Sequence, residues 1–327
     1  MSLASGAVFR AFDADRLLDR ARRHDARRFV TAWIRGLGDV AYIVGEFVRY
    51  VGRRVPGAEV TLLVRPGLEE AGRWIDGVGR VIPVEEWSRE RTLRSPWGLA
   101  FPPPWEIRRA LSRRGLARAF DAILPYPLGA WYEREFTSLR PALRWEPARR
   151  RFGLDFLEAA FPERSRFVVA LNSHVGTGRY YDFDKEWGLE NFARLVTRIL
   201  DAIPESRLVL VDAQRGPGLL ESPRIVDARG KLGVGESVSV IAASDLLVGL
   251  DAGPVNLLYF LGDVSLEIVT LLGRTSCFAP MFYPPASRDV RLTPVVGAAE
   301  DVRAIGLEEV WGTVQAVHAR WKERATR

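Results

Sequence analysis

The chain has 327 residues, more than one hydrophobic core usually organises, so two domains of about 150 residues each are expected. With 47% hydrophobic and 27% charged residues it is not a disordered chain, and no apolar run approaches the roughly 20 residues that span a bilayer. The net charge of +6 is uneven: residues 1–160 carry 28 basic and 20 acidic side chains, whereas residues 161–327 carry 19 and 21.

Two explanations of the basic half stay open. It is a solvated, Arg-rich surface, or it meets an anionic partner such as a phosphorylated glycolipid or a membrane face, where each nearby cation contributes roughly 1 kcal/mol. Nucleic acid is not expected, because no zinc-finger spacing, RNA-recognition signature or long basic helix accompanies the charge. The first 28 residues mix both signs of charge and lack the apolar core of a signal peptide, so the expected location is cytoplasmic, at most peripheral to the inner membrane. Cys277 is the single cysteine and cannot form an internal disulfide; with three histidines it makes no metal-ligand cluster. Only three of the 47 basic residues are lysines: Lys185, Lys231 and Lys322. In a chain that uses Arg almost everywhere, a remaining lysine is a mild hint that its compact ammonium matters.

In chain order, residues 29–34 (Phe-Val-Thr-Ala-Trp-Ile) read as a buried strand. A helix follows with Val40, Ile43, Val44, Phe47, Val48 and Val51 on one face. Residues 59–64 form a strand, 68–74 a helix, 80–83 a short strand, 105–116 a helix and 122–124 an extended segment. The stretch 88–104, with Pro96, Trp97 and three consecutive prolines, reads as a loop. The pattern then restarts: strand 166–171, helix 189–203, strand 207–211, helix 237–243, strand 245–250, helix 254–261, strand 264–271 and a closing amphipathic helix 307–321. Strands alternating with helices at this tempo mean parallel sheets, here in two domains, 1–160 and 161–327, facing a cleft.

Three constellations carry chemistry. The first is Arg35-Gly36-Leu37-Gly38-Asp39-Val40, between the first strand and its helix, where Gly36 and Gly38 let backbone approach closely and the helix N-terminus favours anions. It is not a dinucleotide fingerprint, since position 41 is Ala and no acidic residue ends the second strand. Asp39 is either an N-cap or a carboxylate at the mouth of the sheet, where a general base sits. The second is Leu250-Asp251-Ala252-Gly253-Pro254-Val255-Asn256, again at a strand end opening a helix, with Pro254 suited to the first helical position and the following amides suited to a diphosphate. Asp251 alone also reads as an N-cap. The third is Asp182-Phe183-Asp184-Lys185-Glu186-Trp187, whose lysine is either a solvated surface group or an anion ligand. The loop 172–178 supplies hydroxyls, Ser173 and Thr177, and glycines suited to phosphate or ribose. His174 is the only histidine in a plausible site, but a lone loop histidine is more often incidental, and Trp33 and Trp187 read as packing residues. Lys231 and Glu236 read as capping or surface groups.

Taken in order, Gly-Leu-Gly-Asp-Val, the segment Val78–Val84, Lys-Glu-Trp with residues 190–195, Gly230-Lys231-Leu232, and Ala243 to Pro254 resemble the bacterial lipopolysaccharide heptosyltransferase family (glycosyltransferase family nine) from about residue 29 to the end. The region 88–150 is poorly matched. The resemblance implies an α/β fold of the GT-B type: two Rossmann-like, doubly wound parallel-sheet domains, the first binding acceptor and the second binding nucleotide sugar. It implies an inverting glycosyltransferase that moves a heptose-like sugar from a nucleotide-diphosphate donor, ADP-linked for choice, to a glycolipid or other cell-envelope glycan, with no metal or other cofactor. By position, Asp39 matches the family's base and Lys185 the lysine on the donor phosphates. Asp251, Ala252 and Gly253 match the Asp-x-Gly turn beside the donor, and Leu232 an apolar contact to the base. Ser173 and Thr177 join the donor site. Two departures stand out. The family usually has His where this chain has Asn256, which carries neither charge nor a transferable proton. The loop 171–185 is also longer and more aromatic (Tyr180, Tyr181, Phe183) than the family pattern, which points to a different donor sugar. A catalytically inactive relative that binds sugar nucleotide or envelope glycan is the alternative, and a sugar-nucleotide epimerase a third.

Overall fold

A computed structural model describes residues 14–88, 93–94, 100–124, 143–163, 166–175, 185–216, 218, 220–273, 279–281 and 283–326. The chain divides into two compact units, Met1–Arg144 and Trp145–Arg327.

In the first unit, strands β1 (Arg28–Trp33), β2 (Glu59–Val64), β3 (Val78–Pro83) and β6 (Ala122–Ile123) form one parallel sheet in the order β3-β2-β1-β6. β1 and β2 are buried on both faces apart from their first residues, which is why they read as unbroken apolar runs rather than as alternating ones. The predicted helix after β1 is present, but not as a plain α-helix. Leu37–Asp39 is a single turn, Val40–Val44 is π-helical and Gly45–Arg54 is α-helical. In the π segment the Gly45 N–H reaches the Val40 carbonyl, five residues back, and all five residues of that segment are buried. Single π turns inside helices are frequent at functional sites. A second helix, Ala14–Arg23, lies against this rod, with Tyr50 donating to Asp15 and Arg54 reaching Asp19 at 2.7 Å. The segment expected to be a loop holds the short antiparallel pair β4 (Leu93–Arg94) and β5 (Ala100–Phe101).

The second unit contains a six-stranded parallel sheet in the order β12-β11-β10-β7-β8-β9. Its strands are β7 (Phe167–Asn172), β8 (Ser206–Leu210), β9 (Ile225–Asp227), β10 (Leu246–Leu250), β11 (Leu266–Leu272) and β12 (Val290–Val296). The chain builds outwards from β7 through β8 to β9, returns to β10 on the other side, and continues to β11 and β12. Strand order therefore reverses between β7 and β10, and in open α/β sheets ligands bind at the carboxyl ends of the strands at that point. One core binds the sheet to its helices: Phe167, Val169 and Leu171 pack with Phe192, Leu195 and Ile199 of the helix Leu189–Ala202. Val310, Val314 and Val317 of the closing helix Leu307–Ala325 join the same core. Each such side chain contributes about 1.5–3 kcal/mol through burial.

The two compact units divide between Arg144 and Trp145, so the helix Pro147–Ala160 belongs to the second unit. There it crosses the helix Val234–Ala242 so closely that a Cβ on Gly153 would lie 2.0 Å from the Ser239 carbonyl oxygen.

Candidate functional site

At the end of β1, Trp33 is fully buried and its indole N–H donates to the Gly36 carbonyl at 3.2 Å, which pins the turn of the first constellation. Gly36 occupies the N-cap position and Gly38 is buried behind it. Asp39 lies inside the helical rod with αR backbone and makes no capping bond with its side chain, so the N-cap expectation for this residue does not hold. Its half-buried carboxylate accepts a hydrogen bond from the Tyr42 hydroxyl at 3.0 Å. Arg65, one residue beyond β2, stitches the neighbouring strand end to the same turn. It donates to the Ile34 carbonyl at 2.9 Å, the Arg35 carbonyl at 3.3 Å and the Pro66 carbonyl at 2.9 Å. Sequence reasoning passed over Arg65, although an arginine directly after a buried strand and before a proline is a signal of this kind.

In the second unit the structure brings Lys185 and Asp251 together. They are 66 residues apart in sequence, yet Lys185 Nζ donates to Asp251 Oδ2 at 2.5 Å, with side-chain exposures of 9% and 13%. That burial separates the pair from ordinary surface ion pairs, which contribute little. Asp251 follows β10 directly. Ala252 is the N-cap residue of the helix Gly253–Phe260, which starts with Gly253 and Pro254 and is apolar almost all round. At the start of that helix Pro254 has no N–H and the Asn256 backbone amide bonds the Ala252 carbonyl at 3.4 Å, so the Gly253 and Val255 amides, with the dipole, are the groups that favour an anion. Asn256 sits on its first turn. Its side-chain N–H donates back to the Ala252 carbonyl at 3.3 Å, and its Oδ1, in a residue only 6% exposed, finds no hydrogen-bond partner among the described residues.

The turn after β7 is held from β8. Asp212, 4% exposed, accepts from Asn172 Nδ2 at 2.6 Å, from the Ser173 amide at 3.0 Å and hydroxyl at 2.8 Å, and from the His174 amide at 3.2 Å. Burial pushes its carboxyl above the usual range, against the opposing pull of the Ser173 and His174 bonds and the charge of Arg229. Arg229, 1% exposed, grips Asp227 with two parallel bonds of 2.9 and 2.8 Å. That grip holds the Asp227 carboxyl below its usual range and raises Arg229 further. Neither Asp212 nor the Arg229–Asp227 pair was singled out from the sequence. The available signals were an aspartate closing the run Leu208–Val211 and the Asp-x-Arg-Gly spacing at 227–230.

The remaining predicted residues are distributed as follows. Ser173 is buried and its hydroxyl proton is committed to Asp212. His174 Nδ1 meets Glu186 Oε1 at 2.9 Å. Leu232 is half-buried in the turn before the helix Val234–Ala242, where the Glu236 carboxylate accepts from the Gly233 amide at 2.8 Å and Lys231 donates to the Asp227 carbonyl at 2.6 Å. Trp187 packs edge-on against Phe192 and donates to the Ile305 carbonyl at 2.9 Å, which makes it a core residue. Thr177, Tyr180, Tyr181, Asp182, Phe183, Asp184 and Cys277 lie outside the described residues. A cavity of about 300 Å³ lies at the opposite, amino edge of the same sheet, lined by Asp245, Glu267, Trp321 and Arg324. Its carboxylates are already engaged: Glu267 with Arg320 and Arg324, and Asp245 with the Val168 amide. It is a helix-docking seam. Among the described residues no group of three or more His, Cys, Asp or Glu side chains is placed to hold a metal ion, and no helix is long and apolar enough to cross a membrane.

No family model and no curated protein matches the chain. Solved structures do match its fold. The ADP-heptose lipopolysaccharide heptosyltransferase II of E. coli is 13% identical with a TM-score of 0.59, over 90% of this chain and 99% of that one. A family nine glycosyl transferase from Veillonella parvula DSM 2008 is 15% identical with a TM-score of 0.60, over 89% and 97%. The E. coli heptosyltransferase WaaC with ADP-2-deoxy-2-fluoro heptose is 16% identical with a TM-score of 0.52, over 88% and 99%. The chain has the α/β fold of these glycosyltransferases, with two parallel-sheet units as the sequence predicts.

Proposed function

We propose that the protein is a glycosyltransferase that moves a sugar from a nucleotide-diphosphate donor to a glycolipid or envelope-glycan acceptor. The observation that carries this reading is the buried Lys185–Asp251 pair at the point where strand order reverses, beside the N-terminus of the helix Gly253–Phe260. A compact cation and free amides at one strand end are what a departing diphosphate requires. As the bond from the anomeric carbon to the phosphate oxygen breaks, both bonding electrons leave with the diphosphate, and its growing charge is stabilised by fixed positive groups. Lys185 carries that role, and Gly253 leaves room for phosphate to approach the backbone.

Asp39 is the base. Its carboxylate takes the proton of the acceptor hydroxyl while the oxygen attacks the anomeric carbon from the face opposite the diphosphate, so configuration inverts. The Tyr42 hydroxyl orients the carboxylate for this task. Leu232 contacts the nucleotide base, and Asp251, once Lys185 turns to phosphate, is released to the sugar hydroxyls. Ala252 and Asn256 line the same turn, Ser173 stands at the neighbouring strand end, and Thr177 is assigned to the donor site on the family resemblance alone. Gly36 and Gly38 keep the β1 turn open to an acceptor phosphate.

The fold neighbours guide the choice of donor. One of them was solved with ADP-2-deoxy-2-fluoro heptose, which makes ADP-linked heptose the first donor to test, with GDP- and UDP-linked sugars after it. The first unit is the proposed acceptor domain, and its basic surface is suited to a phosphorylated glycolipid at an anionic membrane face. The test is a product assay with labelled ADP-heptose and lipopolysaccharide-core acceptors. Transfer that Asp39→Asn abolishes is the expected result. Nucleotide binding without transfer to any acceptor, and without donor hydrolysis, identifies a binding protein instead.

A further inference from the structure

Asp212 makes more contacts than a strand end needs. Four donors converge on its carboxylate, and all four belong to the three residues Asn172–His174, where β7 ends and its turn begins. Because every contact is a donor, the ionised form is the one that fits. Asn172, 3% exposed, is fixed a second time by its bond to the Val211 carbonyl at 3.1 Å, so its side-chain amide stands in one orientation.

This turn contacts a sequence neighbour of each partner of the lysine–aspartate pair. On one side, Asn172 is wedged against β10 at Gly249, where a Cβ would come within 3.1 Å of the Asn172 Cβ. Gly249 is two residues before Asp251. On the other side, the next residue, Val175, donates its amide to Glu186 Oε1 at 2.9 Å, and Glu186 adjoins Lys185. The three central strands β8, β7 and β10 are thus joined at their carboxyl ends by one carboxylate, one amide side chain and one absent side chain.

We infer that Asp212 is a positioning residue for the Lys185–Asp251 pair: it locks the turn Asn172–His174, and that turn braces Asp251 from one side and Lys185 from the other. The assignment of the pair to a donor diphosphate rests on the function proposed above; the bracing itself does not. Burial of Asp212, with Arg229 alongside to favour its charged state, is what makes the lock stiff.

The three lysines of the chain make a direct test. Competitive amine acetylation of the whole protein, read by mass spectrometry, gives the reactivity of Lys185, whose side chain is 9% exposed, relative to Lys322, 60% exposed. In the native protein Lys185 is expected to label far more slowly than Lys322. Asp212→Asn keeps the shape but replaces an acceptor by a donor facing donors, and is expected to raise the Lys185/Lys322 ratio about fivefold or more. Ser173→Ala removes one of the four bonds and is expected to raise the ratio about twofold. An unchanged ratio in folded Asp212→Asn protein overturns the inference. If that variant does not fold, an unchanged ratio in Ser173→Ala overturns it instead. A parallel arm adds ADP to the native protein: protection of Lys185 supports the donor-site reading, and its absence contradicts that reading while the variant ratios still decide the positioning role.

Discussion

Replacing Asp251 by Asn removes a counter-charge from a lysine whose side chain is only 9% exposed. Breaking a buried pair from one side typically costs about 3–5 kcal/mol, and the lower end applies because this pair opens at a strand end. For a unit of this size a loss of about 3 kcal/mol lowers the melting midpoint by roughly 6–12 °C. The reverse substitution, Lys185→Met, leaves a carboxylate one residue ahead of an N-cap, where the helix Gly253–Phe260 supplies amides and a favourable dipole. That dipole returns about 0.3–1 kcal/mol, so Lys185→Met is expected to be the milder of the two for stability. For nucleotide binding the order inverts. Lys185→Met removes a charge-assisted bond of about 1.5–3 kcal/mol to phosphate and weakens ADP by roughly ten- to a hundredfold, whereas Asp251→Asn leaves the ammonium in the site and weakens it less. Thermal unfolding followed by circular dichroism, and calorimetric titration with ADP, measure the two orders separately. The reasoning fails if one variant is the worse in both assays, or if both lose less than about 0.5 kcal/mol, as an exposed pair would.

Three further outcomes follow from other parts of the molecule. Asp39→Asn keeps the hydrogen bond to Tyr42 within reach but cannot take a proton, so turnover is expected to fall about 10²–10⁴-fold with donor affinity unchanged, as steady-state kinetics and titration will show. Asp121 accepts from the Arg27 and Arg28 amides and the Arg28 guanidinium, which depresses its carboxyl to about 2 from 3.8. Its stabilisation is therefore complete above the unfolded value and is lost as pH falls through the folded one, between about pH 4 and 2; denaturant midpoints across that window should flatten in Asp121→Asn relative to the native chain. Gly153→Ala places a methyl 2.0 Å from the Ser239 carbonyl oxygen, and the helices must separate. A loss of about 1–3 kcal/mol in the second unit is expected from chemical denaturation.

Much of the architecture was legible because the inner strands of both units, such as β1, β2, β7, β10 and β11, are buried on both faces. Runs such as residues 59–64 or 246–250 have no solvated side to interrupt them. What escaped had a local reason each time. β12 contains Pro294 and exposed polar positions, which argue against a strand, yet it lies at the sheet edge, where a missing N–H is tolerated. β9 is three residues long, and the helix Pro147–Ala160 opens with three consecutive arginines at 149–151 and buries only Gly153 and Leu157. The π turn at Val40–Val44 is invisible to a periodicity argument, since one extra residue leaves the apolar face intact.

The candidate site divides in the same way. Strand-end glycines and aspartates were readable because a strand–turn–helix junction needs them locally. The contact between Lys185 and Asp251 was not, because it joins two elements 66 residues apart and depends on β7 and β10 being neighbours. Asp212 was missed for that reason too: its donors come from the adjacent strand end, and nothing near it in sequence announces them.

The central claim is that the carboxyl edge around Lys185 and Asp251 binds the diphosphate of a nucleotide donor. Calorimetric titration of the native protein and Lys185→Met with ADP, GDP and UDP tests it most directly. Saturable binding of at least one nucleoside diphosphate, weakened roughly tenfold or more by Lys185→Met, is the predicted result. Binding of none of the three, or binding that Lys185→Met leaves unchanged, contradicts it.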